Sequence, residues 1–246
     1  MTNRVSLEYW NHAYGDVMPQ IALKSDPVRA WIESNIPKAD GTNKKCIEIG
    51  CYPGRYLSVF GELGYELSGI DTTDKLEILP AWLNEQHYKV GSLIKMDFLD
   101  FKPKQKFDVV SSFGFIEHFT DWDNILMKHI NMVKEGGYLI VEVPNFYGAF
   151  QNWVHFTFDR SNYERHCILA MDIEKWKQII EDNKFEIIYA KYFGKFNFWG
   201  MDADLTLKKK FILKILKKLR RPLSILLPND RKIYSPYCGL IARKTF

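Results

Sequence analysis

A small set of acids and imidazoles beside glycine turns could carry chemistry in this chain. The apolar run Cys46-Ile47-Glu48-Ile49 contains an acid and ends in the turn Gly50-Cys51-Tyr52-Pro53-Gly54. Asp71 closes a second apolar run, Tyr65-Glu66-Leu67-Ser68-Gly69-Ile70, 21 positions beyond Gly50. A carboxylate at that distance can accept hydrogen bonds from ribose hydroxyls at the carboxyl end of a strand. Farther along, Glu117-His118 and His166 supply imidazoles. Imidazole titrates near neutral pH, which suits a general base.

These residues need strands and helices to hold them. After Gly54 an amphipathic stretch puts Tyr56, Leu57, Val59, Phe60 and Leu63 on one side, so the region reads as strand, tight turn, helix. Glycine in such a turn tolerates positive φ and admits a ligand close to the backbone. Either a nicotinamide cofactor or S-adenosylmethionine (SAM) would satisfy a ribose-binding acid. A dinucleotide fingerprint wants Gly-x-Gly-x-x-Gly, but Tyr52 stands where the second glycine would approach a pyrophosphate. SAM carries no phosphate and makes no such demand.

With these residues in view, the sequence resembles the class I SAM-dependent methyltransferases. The resemblance rests on Ile47-Glu48-Ile49-Gly50-Cys51-Tyr52-Pro53-Gly54, Gly69-Ile70-Asp71 and Met96-Asp97-Phe98. It continues through Phe107-Asp108-Val109-Val110-Ser111-Ser112-Phe113-Gly114-Phe115-Ile116-Glu117-His118 and Val133 to Pro144, covering roughly residues 40 to 190. It implies an α/β, Rossmann-like, doubly wound sheet of seven strands, the last one antiparallel, built as a single domain over 1–246. The final strand is expected over Tyr237 to Lys244, after a strand from Lys184 to Phe193 and a helix from Met171 to Asn183.

By the same resemblance Glu48 orients the glycine loop or the methionine amino group, although a bare strand acid could equally pair with a buried cation. Gly50, Cys51, Tyr52 and Gly54 form the cofactor loop, and Asp71 takes the ribose with Thr72 beside it. Asp97 and Phe98 hold the adenine, while Ser112, Phe113 and Gly114 offer backbone to the methionine part. His118, at the start of a helix, is the first candidate for a base, and His166 and His155 stand behind it; helix capping is the plain alternative for Glu117 and His118. Some relatives carry Glu-x-x-Glu-His here and bind a divalent ion. This chain has Gly114 in place of the first acid; His166 could join Glu117 and His118 to make three ligands, but with one ligand lost no metal is expected. The resemblance also implies that SAM is the cofactor and S-adenosylhomocysteine (SAH) the product.

Residues 1–40 are expected to form a mainly helical cover over the cofactor, with Tyr9, Trp10 and Tyr14 as candidate ligand contacts or simply as packing. Residues 145–170 are aromatic and irregular, and an insertion there usually covers the acceptor. Residues 194–235 are an addition the core does not require. From Lys208 to Lys232 there are ten Lys or Arg against one acid, Asp230. The whole chain has 34 basic and 30 acidic residues, leaving 24 against 29 elsewhere, a net of −5. The positive balance is therefore local to this segment. Leu205, Phe211, Ile212, Ile215, Leu216 and Leu219 recur at helical spacing within it, and Pro222 is expected to end the helix.

Such a basic amphipathic helix suits an anionic membrane surface through 205–227, where each cation contributes roughly 1 kcal/mol. A helix packed on the domain with a solvated basic face is the alternative. The interleaved residues are aliphatic except Phe211, which disfavours stacking on nucleic acid. Cys46, Cys51, Cys167 and Cys238 are scattered, without metal or disulfide spacing, which points to a reducing compartment. The sequence shows neither a leader pattern nor a membrane-spanning run, so a cytoplasmic, peripherally membrane-associated enzyme is expected. Its acceptor is read as a small molecule or glycan, most simply a hydroxyl in bacterial surface polysaccharide or lipid-linked intermediate synthesis. A non-catalytic SAM-binding scaffold and an NAD-dependent oxidoreductase are the alternatives.

Overall fold

The computed structural model describes residues 3–245. The helices are α1 (Leu7–Ala13), α2 (Pro27–Asn35), α3 (Leu57–Glu62), α4 (Leu79–Glu85), α5 (Trp122–Met132), α6 (Ala149–Phe158), α7 (Arg160–Glu164), α8 (Ile173–Asp182) and α9 (Leu207–Leu226). The strands are β1 (Lys45–Ile49), β2 (Glu66–Asp71), β3 (Val90–Lys95), β4 (Phe107–Phe113), β5 (Val133–Pro144), β6 (Phe185–Phe193) and β7 (Tyr237–Lys244).

The strands make one seven-stranded sheet in the order β3-β2-β1-β4-β5-β7-β6. β1, β2, β3, β4 and β5 pair in parallel, whereas β7 runs antiparallel to both β5 and β6. The apolar run of β1 follows from its central place, since a parallel strand covered on both faces has no solvent side. One face packs on α5 and α8 through Ile125, Leu126, Trp176 and Ile180. The other packs on α2, α3 and α4 through Ile32, Phe60 and Leu83. The strand order reverses between β1 and β4, and ligands of open α/β sheets bind outside the carboxyl ends of the strands at such a point.

Four local expectations need correction. Among the described residues, 3–40 contain two short helices, with residues 14–26 largely irregular. There Asp26 caps α2 by accepting from Val28 N at 2.8 Å, with Pro27 in the first turn. Residues 145–170 are mostly helical, in α6 and α7, because Val154 and Phe158 find an apolar partner in Phe196, Phe198 and Leu213. Pro222 lies inside α9, which runs on to Leu226. A proline costs a helix one hydrogen bond and a steric clash, but packing of Leu223 and Leu227 on the third apolar cluster offsets that cost. Glu117 and His118 sit in a short 3-10 turn, and the helix that follows begins at Trp122.

The addition is tied to the insertion by hydrogen bonds. Asn145 Nδ2 donates to Lys232 O and Ser235 O, both at 2.8 Å, and Gln151 Nε2 donates to Asn197 O at 2.7 Å and Tyr234 O at 2.6 Å. A Cβ on Gly148 would stand 1.9 Å from Lys232 O, so glycine is what lets these two backbones touch.

Candidate active site

A cleft opens at the switch point. Its wall is made where β1, β2 and β4 end and loops begin. Gly50, Asp71, Thr72 and Gly114 line it, together with Asp97, Phe98, Phe113 and His118. Gly50 and Gly114 have φ of +72° and +64°, which glycine adopts without strain. A Cβ on Gly50 would meet Phe115 Cδ2 at 2.9 Å, so the absent side chain keeps the cleft open beside that ring.

Asp71 is almost wholly buried, and both its oxygens are engaged. Oδ2 accepts from Tyr52 N at 2.9 Å and Oδ1 accepts from Thr73 N at 3.0 Å. Burial pushes its carboxyl up, and these backbone N–H groups pull it back toward the ionised form. Asp97 Oδ1 accepts from Leu99 N at 2.8 Å, which fixes the turn after β3. Phe98 is buried edge-on to Phe115, with centroids 5.7 Å apart.

Other residues expected at the cofactor lie behind the wall. Cys51 Sγ faces Gly69, and Gly54 (φ +83°) packs on Leu79 of α4. Ser112 is buried with its hydroxyl unpartnered, and Glu48 is buried in β1 with Oε2 unpartnered. Burial, reinforced by the Asp71 charge, drives Glu48 well above the usual carboxylate range. The unpartnered Oε2 leaves a polar demand behind the glycine loop. Tyr52 turns its hydroxyl to Val17 O and its ring edge to Tyr14 at 5.3 Å. It thus anchors the N-terminal cover.

That cover supplies cleft residues directly. Trp10 and Tyr14 line the cleft, and Trp10 sits edge-on to His118 at 5.0 Å. Arg4 N donates to His118 O at 2.7 Å. Ile70, Met96, Phe115 and Phe119 also line it. Met96 and Phe115 lay inside recognised motifs, but nothing in their spacing marked them as wall residues.

The histidines converge although they are far apart in sequence. His118 and His166 have ring centroids 4.8 Å apart, and each Nε2 is 3.9 Å from Glu117 Oε1. Their Nδ1 atoms face backbone carbonyls, Arg165 O at 3.3 Å and Asn162 O at 2.6 Å. A carbonyl only accepts, so each Nδ1 carries the proton and each Nε2 is left as an acceptor. Burial lowers His118 to about 3, aided by His166, and lowers His166 to about 4. Burial also drives Glu117 well above its ordinary range, and its Oε2 has no partner. His155 is remote from the cleft wall, held by Asp159 Oδ2 at 2.9 Å and stacked on Phe146.

One potential ligand atom from each of Glu117, His118 and His166 lies within 4.8 Å of the others. Two unprotonated imidazole nitrogens, oriented by backbone carbonyls, and one carboxylate fit the donor set of a divalent transition ion. The missing first acid, at Gly114, had argued against a metal. The geometry shows that three of the donors meet without it.

A fourth buried acid, Glu142 on β5, is pushed up to about 8 by burial, with Asp26 adding and Arg55 opposing. A folded state that keeps a proton the unfolded chain has lost is destabilised as pH rises from about 4.5 through that value. Glu48 and Glu117 act with the same sign. His118 and His166, with lowered values, act with the opposite sign, but only below about 6.5. Stability is therefore expected to decline between pH 6.5 and 8, by up to about 1.4 kcal/mol per pH unit for each retained proton. Urea unfolding at both pH values would measure it, and Glu142→Gln should make the decline shallower.

The comparisons agree with this geometry. The family model described as a methyltransferase domain matches residues 24–190. A ubiquinone biosynthesis O-methyltransferase of Rhodopseudomonas palustris (strain BisB18) is 29% identical over 118 residues, which are 46% of this chain and 42% of that protein. One from strain BisA53 is 28% identical over 170 residues, 63% of this chain and 62% of that protein. The chain spans about half the length of the curated relatives it matches first. Among solved structures, the N-methyltransferase NodS of Bradyrhizobium japonicum WM9 with SAH superposes with a TM-score of 0.55 at 13% identity, covering 90% of each chain. Magnesium protoporphyrin IX methyltransferase of Synechocystis PCC 6803 with SAM gives 0.54 at 14% identity, covering 96% of this chain and 89% of that one. Identities this low speak for the fold alone, but the family match extends over most of the chain, from α2 to β6. The chain belongs to the class I SAM-dependent methyltransferase family.

Proposed function

We propose that this protein is an O-methyltransferase that moves the methyl group of SAM to a hydroxyl of a small-molecule or glycan acceptor. The observation that carries the reading is His118 in the cleft wall with Nδ1 tied to Arg165 O and Nε2 left to accept a proton. A hydroxyl must lose its proton as it attacks, whereas an amine needs little base. Relatives named as O-methyltransferases support the choice.

SAM would be held by the ends of β1, β2 and β4. Asp71 takes the ribose hydroxyls, Asp97 and Phe98 the adenine, Gly50 and Gly114 give backbone room, and Glu48, behind the wall, orients the glycine loop. Bound SAM supplies an electrophilic methyl group. The protein's own part is to orient the acceptor hydroxyl, take its proton at His118 Nε2 and keep water out beneath Trp10 and Tyr14. A second reading rests on the same cluster: Glu117, His118 and His166 would hold a divalent ion, which would supply Lewis acidity to lower the hydroxyl's pKa.

The aromatic stretch over 145–170, with Phe156 and Tyr163 not fully buried, favours an acceptor with a sugar face or a ring. A bacterial surface saccharide or its lipid-linked precursor is the class we favour. Peripheral contact of residues 205–227 with an anionic membrane belongs to the same reading, because it would bring such a precursor to the cleft. Labelled SAM offered with sugar nucleotides, lipid-linked saccharides, phenols, amines and tRNA would test it. Label in a hydroxyl is expected, whereas transfer only to an amine or tRNA, or SAM binding with no transfer at all, would overturn it.

A further inference from the structure

The sequence presents one apolar face on α9, but the structure divides it in two. Leu213 is buried at 7% exposure, and Ile212, Leu216, Leu223 and Leu227 pack with it on Val154 and Phe158 of α6 and on Phe196 and Phe198. A second set stays in solvent: Leu207 at 87% exposure, Phe211 at 65%, Ile225 at 75% and Leu226 at 77%, with Ile215 and Leu219 nearly half exposed. Leu207, Phe211, Ile215 and Leu219 follow one another every four residues, so they form one stripe down the helix. Eight cations and no acid accompany them in α9. Contiguous exposed apolar surface of this kind marks an interaction site.

Charge decides among the partners. A second copy of the chain would bring eight cations against eight cations across a self-complementary contact, which repels. Nucleic acid would match the charge but leave the aliphatic stripe unused, since Phe211 is its sole aromatic member. An anionic bilayer matches both, because phosphate headgroups meet the cations while the apolar stripe enters the acyl boundary. No helix among the described residues is long and apolar enough to cross a membrane. α9 would therefore lie in the interface plane.

We propose that the outer stripe of α9, flanked by its lysines and arginines, is an in-plane insertion surface for an anionic lipid bilayer. The proposal rests on the reading of residues 205–227 as a membrane contact and adds which face inserts and how the enzyme is oriented. Tyr237, where β7 begins, is paired with Pro144 at the end of β5 and with Phe193 at the end of β6. The segment carrying α9 thus leaves and rejoins the sheet at the edge where the cleft opens. Its inner face rests on α6, so docking places α9 between α6 and the lipid.

Co-sedimentation tests it, using the full chain with vesicles of phosphatidylcholine alone or with about one third phosphatidylglycerol. Binding is expected only to the anionic vesicles. Phe211→Ser with Ile215→Ser, which leaves every charge in place, is expected to weaken it at least about tenfold. Lys214→Glu with Lys218→Glu is expected to do the same. SAH binding by each variant confirms that the fold is kept. Failure to sediment by a protein that binds SAH would overturn the proposal and leave the methyltransferase reading intact. Serine variants that bind as well as wild type would reduce the contact to charge alone and overturn insertion. A dimer dissolved by those variants, or RNA binding without vesicle binding, would assign the surface to another partner. Vesicle binding without SAH binding would instead sink the catalytic reading.

Discussion

Replacing Asp71 with alanine is expected to weaken SAH binding by at least about a hundredfold. Two hydrogen bonds from ribose hydroxyls to a carboxylate contribute roughly 1.5–3 kcal/mol each, and the substitution removes both. The same carboxylate also holds Tyr52 N and Thr73 N, so its loss loosens the cofactor loop. Asp71→Asn keeps one carbonyl acceptor and should fall between wild type and alanine. Asp97→Ala removes a single expected contact to the adenine amine and should cost about tenfold. Isothermal titration with SAH, run beside NAD as a control, would read all of these. Unchanged affinity in Asp71→Ala, or a preference for NAD, would show that the ribose is not held at the end of β2.

The second large effect concerns the imidazole cluster. His118→Ala is expected to lower kcat on a hydroxyl acceptor about 10²- to 10⁴-fold while leaving SAH affinity unchanged. His118 is lowered to about 3 by burial, so it is neutral across the physiological range and carries no proton on Nε2. The rate should therefore show no loss from His118 protonation between pH 5 and 8. If Glu117, His118 and His166 instead act as ligands of an ion, three further results should appear together. Chelation should abolish turnover and a divalent ion restore it, His166→Ala should cost as much as His118→Ala, and Glu117→Gln should weaken metal binding measured directly by titration. With a base alone, chelation does nothing and His166→Ala has the smaller effect.

Much of the fold was legible in the chain. β1, β2 and β4 are apolar runs because both their faces are covered, and each ends on a residue the cleft uses or beside a glycine that shapes it. That pattern is local and marked Gly50 and Asp71, while the resemblance to class I methyltransferases placed Asp97, Gly114 and His118. The depth of each loop residue could not be read from either. Gly50 and Gly54 occupy one pentapeptide, yet Gly50 faces the cleft while Gly54 supports Leu79. Only the packing of α4 against the turn separates their roles. Trp10 of α1 and Tyr14 at its end line the cleft, as the sequence suggested, but the contact of Tyr14 with Tyr52 that holds them there is a partnership no periodicity reveals.

The sequence alone determined where β1, β2 and β4 run and the local concentration of positive charge, since each depends on neighbours within a few residues or on composition. Tertiary structure decided the rest. It brought His166 to Glu117 and His118, because the loop after α7 hydrogen-bonds back through Cys167 N to Glu117 O. It also carried α9 past Pro222 and split its apolar residues between a packed face and an exposed one. A helix buries only the side for which the folded chain supplies a partner, and here α6 covers one side while the other is left to solvent.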